Sequence, residues 1–251
     1  MSRNWCDRTI EMDCAKCRLR RHATLMPEPV PGLELIRKSR VGSCVARPGA
    51  RICIEGEPST GIFTLVSGWA FRYKRLHDGR RQILDFRLPG DFFGLGHGGS
   101  QAQDHSVECI TPVVLCVFDK PQFEGAMQSD PALAALVRRI LRAEEGAMFE
   151  HLVDIGRRSA TEAVGHMLLE LCLRQRQGRV SRGCSCQFPI TQLHLADALG
   201  LTATHVNRVL RKLREDGLAS VGDQRLVIHN VARLSDLCEF NDRYTTRMPV
   251  I

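Results

Sequence analysis

Short apolar runs separated by glycine turns dominate the chain between about residues 35 and 125. Turn signals such as Pro48-Gly49, Asp78-Gly79 and Pro89-Gly90-Asp91 recur about every ten residues. Glycine supplies the positive φ that tight turns need, and proline presets the first turn position. Evenly spaced short strands between such turns predict a β-sandwich or a small jelly-roll barrel. The predicted strands are Arg51–Ile54, Ile62–Leu65, Trp69–Leu76 and Gln82–Phe86.

A long helical pattern follows Asp130-Pro131, where an N-cap residue precedes a proline at the first helical position. Apolar residues then recur at helical spacing for about 25 residues without a helix breaker, and the opposite face is strongly charged. This pattern predicts a helix–helix seam, most simply a dimer interface, with packing on the helix's own domain as the alternative. The predicted interface residues are Leu133, Val137, Ile140 and Ala147.

The segment from Pro189 to Leu218 predicts two short helices joined by a turn at Gly200. Thr191 and Thr202 are the expected N-caps. The second helix has an apolar face and, opposite it, a polar stripe, so the pair predicts a helix-turn-helix. The apolar face comprises Val206, Leu210 and Leu213, and the polar stripe comprises Thr204, Asn207, Arg208 and Arg211. A run around Gly222-Asp223 predicts a two-stranded wing.

The polar stripe carries the side chains that a major-groove reader needs. Arginine bonds bidentately to guanine and asparagine to adenine, while further basic residues neutralise phosphates. The expected DNA-contacting residues are Thr202, Thr204, His205, Asn207, Arg208, Arg211 and Lys212. The alternative is a helical hairpin with a solvated charged face that contacts only other proteins.

Composition narrows the function classes. The 251 residues carry a net charge of +7, which favours an anionic partner such as nucleic acid. No apolar stretch is long enough to span a bilayer, and the N-terminus lacks a signal-peptide core, so we expect a cytoplasmic protein without membrane contact.

Eleven cysteines in a reducing compartment predict core packing and some metal ligands rather than a disulfide framework. A cupin-like enzyme is disfavoured because residues 50–120 hold no cluster of histidine and carboxylate ligands, so no enzyme is expected.

The order of these segments resembles the Crp/Fnr family of bacterial transcription regulators from about residue 14 to 235. The segments that carry the resemblance are PGARICIEGEPSTGIFTLVSGWAFRYKRLHDGRRQILDFRLPGDFFG and GLTATHVNRVLRKLREDG. The resemblance implies an α+β fold and a homodimer that binds a palindromic promoter site and recruits RNA polymerase. Its parts would be an N-terminal arm (1–30), a jelly-roll effector domain like a cyclic-nucleotide-binding domain (31–128), a dimerisation helix (129–156), a winged helix-turn-helix (157–235) and a tail (236–251).

The resemblance also bears on the effector and on the bases read. Leu95 and His105 stand where relatives that bind cyclic nucleotide have glutamate and arginine, so no cyclic nucleotide is expected. On the recognition helix Arg208 matches the family's arginine, whereas Thr204 replaces a glutamate and Asn207 a serine or glycine. Arg208 to guanine is therefore the contact that the resemblance carries over most directly.

The Fnr branch of the family holds an oxygen-labile [4Fe–4S] cluster with four cysteines, which would make this chain an activator at low oxygen. The corresponding set here is Cys6, Cys14, Cys17 and Cys116. The spacing departs from the branch, because the Cys14-x2-Cys17 pair is preceded rather than followed by the extra cysteine. Zinc binding by the arm and simple core packing of Cys116 are alternatives. A further alternative is a cluster-free member controlled by its expression level or by thiol oxidation at Cys184 or Cys186, which we expect to be exposed in a polar loop before the helix-turn-helix.

Overall fold

The computed structural model describes residues 5–13, 17, 19, 32–59, 61–95, 102–176 and 183–241. These residues divide into two compact units. The first unit contains the described residues up to Lys74 together with Phe86–Arg142. The second unit contains Arg75–Asp85 and the described residues from Ala143 onward.

Two β-sheets build the first unit, as the turn spacing predicted. One sheet has the strand order β1-β2-β9-β4-β7 and the other has the order β3-β8-β5-β6. The strands are β1 (Arg8–Ile10), β2 (Arg40–Ala46), β3 (Arg51–Cys53), β4 (Ile62–Ser67), β5 (Ala70–Arg75), β6 (Arg81–Arg87), β7 (Phe92–Phe93), β8 (Ser106–Cys109) and β9 (Val113–Phe118). The tip of the β5–β6 hairpin clusters with the second unit.

Alternation along β9 separates two apolar cores. Val113, Leu115 and Val117 belong to a buried cluster that also draws on β3 and β8, so this core lies between the sheets. Cys116 and Phe118 belong to a second cluster, which the helices cover. Successive side chains of a strand point to opposite faces of its sheet, so the five-stranded sheet separates the two cores.

Among the described residues, the outer face of that sheet is covered by α1 (Leu33–Ser39), α2 (Lys120–Ser129) and the start of α3 (Pro131–Gly156). Asp119 caps α2, and the Oδ1 atom of Asp130 accepts hydrogen bonds from the first backbone amides of α3 at 2.9 and 3.1 Å. These caps satisfy amides that have no partner within the helix. The start of the long helix therefore lies where the Asp-Pro signal predicted it.

The second unit contains the helix-turn-helix. After the end of α3 come α4 (Ala160–Arg176), β10 (Cys184–Gln187), α5 (Gln192–Leu199), α6 (Ala203–Glu215), β11 (Ala219–Gly222), β12 (Arg225–Ile228) and α7 (Val231–Cys238). The strands form one sheet in the order β10-β12-β11. The α+β class, the long helix and the helix-turn-helix are confirmed, while α7 crosses the predicted boundary at residue 235. Among the described residues, no helix combines the length and apolarity needed to cross a membrane.

Candidate nucleic-acid interface

The first helix of the motif, α5, begins and ends at the predicted signals. The Thr191 hydroxyl accepts a hydrogen bond from the His194 amide, and the Thr191 amide donates to His194 Nδ1, both at 3.2 Å. This reciprocal pair is a capping box with histidine in the place of the usual glutamate or glutamine. Gly200 ends the helix in the left-handed conformation, at φ 66°. The chain then turns directly into α6 because glycine adopts this φ without steric cost.

The second helix, α6, is anchored by one apolar face. Thr202 Oγ1 caps it by accepting from the His205 amide at 3.2 Å. Val206, Val209 and Leu213 are buried, whereas Leu210 is only half-buried. Val209 therefore takes the core position that the sequence pattern assigned to Leu210. Both residues are apolar and adjacent, so the periodicity alone did not separate them.

The opposite face of α6 is exposed. Its exposed side chains are Thr204, Asn207, Arg208, Arg211 and Lys212, and Thr202 just before the helix is exposed as well, while His205 is half-buried. Arg211 donates from Nε to Glu215 Oε1 at 2.8 Å, and this hydrogen bond, with the charge of Glu215, raises the pKa of its guanidinium. The structure thus brings the predicted contact residues together at one surface.

Gln192 of α5 also belongs to this surface, although the sequence did not lead us to predict it. Asn207 Nδ2 donates to Gln192 Oε1 at 3.2 Å across the two helices. The bond orients the Asn207 carboxamide, leaving its Oδ1 atom directed away from Gln192. Gln192 directly follows the predicted N-cap Thr191. A polar residue in the first turn of the helix was the sequence feature that could have identified it as part of this surface.

The wing follows α6 as predicted, with its turn shifted by one residue. Strand β12 pairs antiparallel with both β11 and β10. Asp223 and Gln224 occupy the turn at φ 48° and 55°. Two successive left-handed residues are typical of the type I′ turn that closes two-residue hairpins. The turn therefore uses Asp223-Gln224 rather than the predicted Gly222-Asp223.

Helix α5 is held from its other side by the hairpin residues that belong to the second unit. Arg81 Nε donates to Asp197 Oδ2 at 2.7 Å, and Gln82 Nε2 donates to the carbonyl of Ala198 at 2.7 Å. Burial and the nearby Arg81 guanidinium lower the pKa of His194, and Asp197 opposes this effect. His194 is therefore favoured as the neutral imidazole, which is the form that accepts the Thr191 bond.

A buried polar network joins the end of α3 to α4. Arg158 donates to Asp154 Oδ1 and to Glu150 Oε2, both at 2.8 Å, and His166 Nδ1 lies 2.9 Å from Asp154 Oδ2. Burial alone would lower the pKa of Arg158, but its two carboxylate partners raise it. His166 is fully buried and contacts the ring of Phe240 at a centroid distance of 5.0 Å. This network fixes the joint that precedes the helix-turn-helix.

The predicted dimer residues lie elsewhere than expected. Leu133, Val137 and Ile140 are buried in the helix-covered core of the first unit, and Ala147 is also buried. They are not available to a partner, so the predicted set is corrected. The periodicity identified an apolar face, but that face packs on the chain's own core. The large apolar side chains that α3 exposes are Leu141, Met148, Phe149, Leu152, Val153 and Ile155.

The three described cysteines of the predicted cluster set, Cys6, Cys17 and Cys116, do not lie together. Cys17 and Cys116 are both buried in the helix-covered core, and burial raises the pKa of the Cys116 thiol. Cys6 instead forms a disulfide with Cys44, and Cys14 lies outside the described residues. No group of three or more histidine, cysteine, aspartate or glutamate side chains suited to a metal ion occurs within the described part of the chain. Of the three described members of the predicted set, Cys6 therefore lies apart from Cys17 and Cys116, and the [4Fe–4S] cluster itself stays a prediction.

The two cysteines proposed as exposed thiol switches are buried. Cys184 and Cys186 lie on β10 rather than in a polar loop, because β10 pairs with the wing strand β12. Cys184 is joined to Cys172 of α4 in a disulfide. Burial raises the pKa of Cys186 to about 11, so its thiol stays protonated and unreactive near neutral pH.

Comparison with known proteins agrees with this architecture. Residues 44–130 match the cyclic nucleotide-binding domain family, and residues 162–237 match the Crp-like helix-turn-helix domain family. The first match concerns the fold of the β domain and leaves the bound effector open.

Individual relatives match across most of the chain. The nitrogen fixation regulation protein FixK of Rhizobium meliloti is 32% identical over 85% of this chain and 92% of its own length. The transcriptional activator protein FnrL of Cereibacter sphaeroides is 29% identical over 90% and 92%. The structure of FixK2 from Bradyrhizobium japonicum superposes with a TM-score of 0.69 and 30% identity, covering 78% of this chain and 96% of FixK2. This chain therefore belongs to the Crp/Fnr family of transcription regulators.

Proposed function

We propose that the protein is a homodimeric transcription activator that reads a palindromic promoter site with α6 and recruits RNA polymerase. The observation that carries this proposal is the exposed polar face of α6, backed by the buried Val206, Val209 and Leu213. A helix fixed on one side and polar on the other suits insertion into the major groove. The cytoplasmic location expected from the sequence agrees with such a role.

Individual contacts follow from side-chain chemistry. Arg208 is exposed and presents a guanidinium fork that matches the O6 and N7 atoms of guanine. Asn207 would read an adjacent base, with Gln192 fixing its carboxamide. Arg211 and Lys212 would neutralise phosphates, and Arg211 would exchange its bond with Glu215 for a phosphate oxygen.

Dimerisation is assigned to the outward face of α3. Leu141, Met148 and Ile155 follow each other at intervals of seven residues, and Leu152 lies between the last two. This spacing is that of a coiled-coil seam, and it would hold two copies on a two-fold axis. Two recognition helices related by that axis would read half-sites about one DNA turn apart.

Regulation at low oxygen is supported by two further relatives, 23% and 22% identical, that are named anaerobic regulatory proteins. Because Cys6 lies apart from Cys17 and Cys116, we propose a cluster-free member of the family. Control then rests on the amount of protein or on thiol chemistry. Cys184 is already joined to Cys172, and the buried position of Cys186 argues against direct oxidation of its thiol in the folded chain.

Equilibrium binding tests the DNA-reading role. The full-length protein would be titrated onto a labelled palindrome, selected from random DNA, and onto a scrambled control, with fluorescence anisotropy as the readout. We expect affinity for the palindrome to fall about 1,000-fold or more between about 50 and about 200 mM salt, as for a protein with several phosphate contacts.

A matched pair of arginine variants makes this test specific. Arg208→Ala should weaken binding to the palindrome by about 10-fold to about 100-fold. Arg233→Ala removes an exposed arginine of α7, outside the proposed surface, and should leave binding unchanged. Equal affinity for the palindrome and the scrambled DNA, or equal effects of both variants, would refute the proposal.

A further inference from the structure

The N-terminal strand places Cys6 directly beside Cys44. Strand β1 pairs antiparallel with β2, with Thr9 opposite Cys44, and the Asp7 amide donates to the Val45 carbonyl at 2.9 Å. The Cα atoms of Cys6 and Cys44 are 5.8 Å apart. This separation lies within the range that a disulfide spans without backbone movement. Strand pairing thus presents the two sulfurs to each other.

The five-stranded sheet separates this pair from Cys17 and Cys116. On β2, Ser43 lies opposite Cys116 and Cys44 lies opposite Leu115. Adjacent residues of a strand point to opposite faces, so Cys44 and Cys116 lie on different sides of the sheet. Cys44 and Cys6 pack in the core between the sheets, whereas Cys116 and Cys17 pack in the helix-covered core.

A cluster needs four thiolates around one centre, and a sheet backbone lies between Cys6 and the pair Cys17 and Cys116. We infer that Cys6 is not a cluster ligand and that Cys6 and Cys44 form a reversible redox pair. The oxidant is of the peroxide class. With hydrogen peroxide, the two thiols give up two protons and two electrons, the S–S bond forms, and the O–O bond breaks to yield two molecules of water. A dithiol reductant reverses the reaction.

The bond controls how the N-terminal strand is held. When the disulfide is closed, it ties the segment before β1 to the sheet beside Trp5, whose ring meets the ring of Phe63 edge-on at 5.4 Å. When it is open, the three residue pairs of β1 with β2 and the packing of Trp5 hold the strand. Oxidation therefore fixes strand β1 against β2 at the edge of the five-stranded sheet. This inference is independent of DNA binding.

Peptide mapping of the full-length protein tests the pairing. Protein kept with reductant and protein exposed to hydrogen peroxide would be alkylated, digested without reduction and examined by mass spectrometry. We expect a peptide pair linking Cys6 to Cys44 that appears with peroxide and disappears with reductant. Cys44→Ser should abolish it and leave Cys6 open to alkylation. Cys53→Ser, at a free cysteine of the same core, should leave the link unchanged.

Measurement of bound iron tests the opposite possibility, that Cys6 is a cluster ligand. After anaerobic reconstitution with iron and sulfide, the metal content of wild type, Cys6→Ser and Cys44→Ser would be compared. The inference predicts that neither substitution lowers the iron content relative to wild type. Iron that is lost in Cys6→Ser but retained in Cys44→Ser would overturn it, as would the absence of a Cys6–Cys44 link in natively folded, peroxide-treated wild type. Neither readout depends on DNA, so failure here is distinguishable from failure of the proposed function.

Discussion

Replacing Arg158 with methionine tests the buried network at the joint between α3 and α4. Arg158 is 11% exposed and Asp154 is 1% exposed, and the substitution leaves Asp154 and Glu150 without their cation. Breaking a buried ion pair by removing one partner costs about 3–5 kcal/mol, because an uncompensated charge stays buried. Glu150 is 29% exposed and is partly screened by water. We therefore expect a loss at the lower end of this range, about 3 kcal/mol.

Urea unfolding, followed by the loss of helical circular dichroism, measures this cost. The control is Arg80→Met, because Arg80 pairs with Asp78 at 2.7 Å while the two side chains are 77% and 52% exposed. The two ion pairs of Arg158 and the one of Arg80 have nearly the same length, so the variants contrast buried pairs with an exposed one. Arg80→Met should leave the unfolding midpoint unchanged. A loss below about 1 kcal/mol in Arg158→Met would refute the reasoning from burial.

Three further predictions concern the dimer, the cap and the wing. Leu152→Glu should convert the dimer to monomers in light scattering, because Leu152 is 63% exposed on the proposed seam, whereas Leu193→Glu on α5 should stay dimeric; a dimeric Leu152→Glu would contradict the seam. The lowered pKa of His194 means that the unfolded chain binds the proton first, so stability should fall as the pH drops below about 6.5. His194→Gln should flatten that dependence in pH-dependent thermal unfolding, and an unchanged slope would exclude His194 as its source. Gln224→Gly should raise the unfolding free energy by about 0.5–1 kcal/mol, because glycine removes the cost of a left-handed residue, and a loss of stability would contradict the turn assignment.

The helix-turn-helix could be predicted from the sequence because its signals are local. Thr191 and Thr202 each cap the helix that follows, and Gly200 supplies the left-handed turn. The wing was also predictable, although its turn lies one residue later. Local chemistry does not choose between Gly222-Asp223 and Asp223-Gln224, because the register of β11 on β12 decides which residues turn.

The other predictions were limited because they depend on contacts between residues that lie far apart in the sequence. Helix α3 has apolar residues on two faces, and spacing alone does not tell whether a face meets the chain's own core, as at Leu133, or is exposed, as at Leu152. The cysteines show the same limit. The sequence alone allows both Cys6 and Cys116 as metal ligands. The register of β2 against β9 decides that they lie on different faces of the sheet. Cys184 was predicted to lie in a loop because local sequence does not reveal the partner of its strand. That partner is β12, more than 40 residues later in the chain.

Site selection from random DNA tests the central claim, that α6 reads sequence through Arg208, most directly. Wild-type protein should enrich a palindrome whose half-sites lie about one helical turn apart, with a required guanine in each half-site. Arg208→Ala should enrich the same palindrome without the preference for that guanine. No enriched sequence with wild type, or an unchanged guanine preference with Arg208→Ala, would contradict the account.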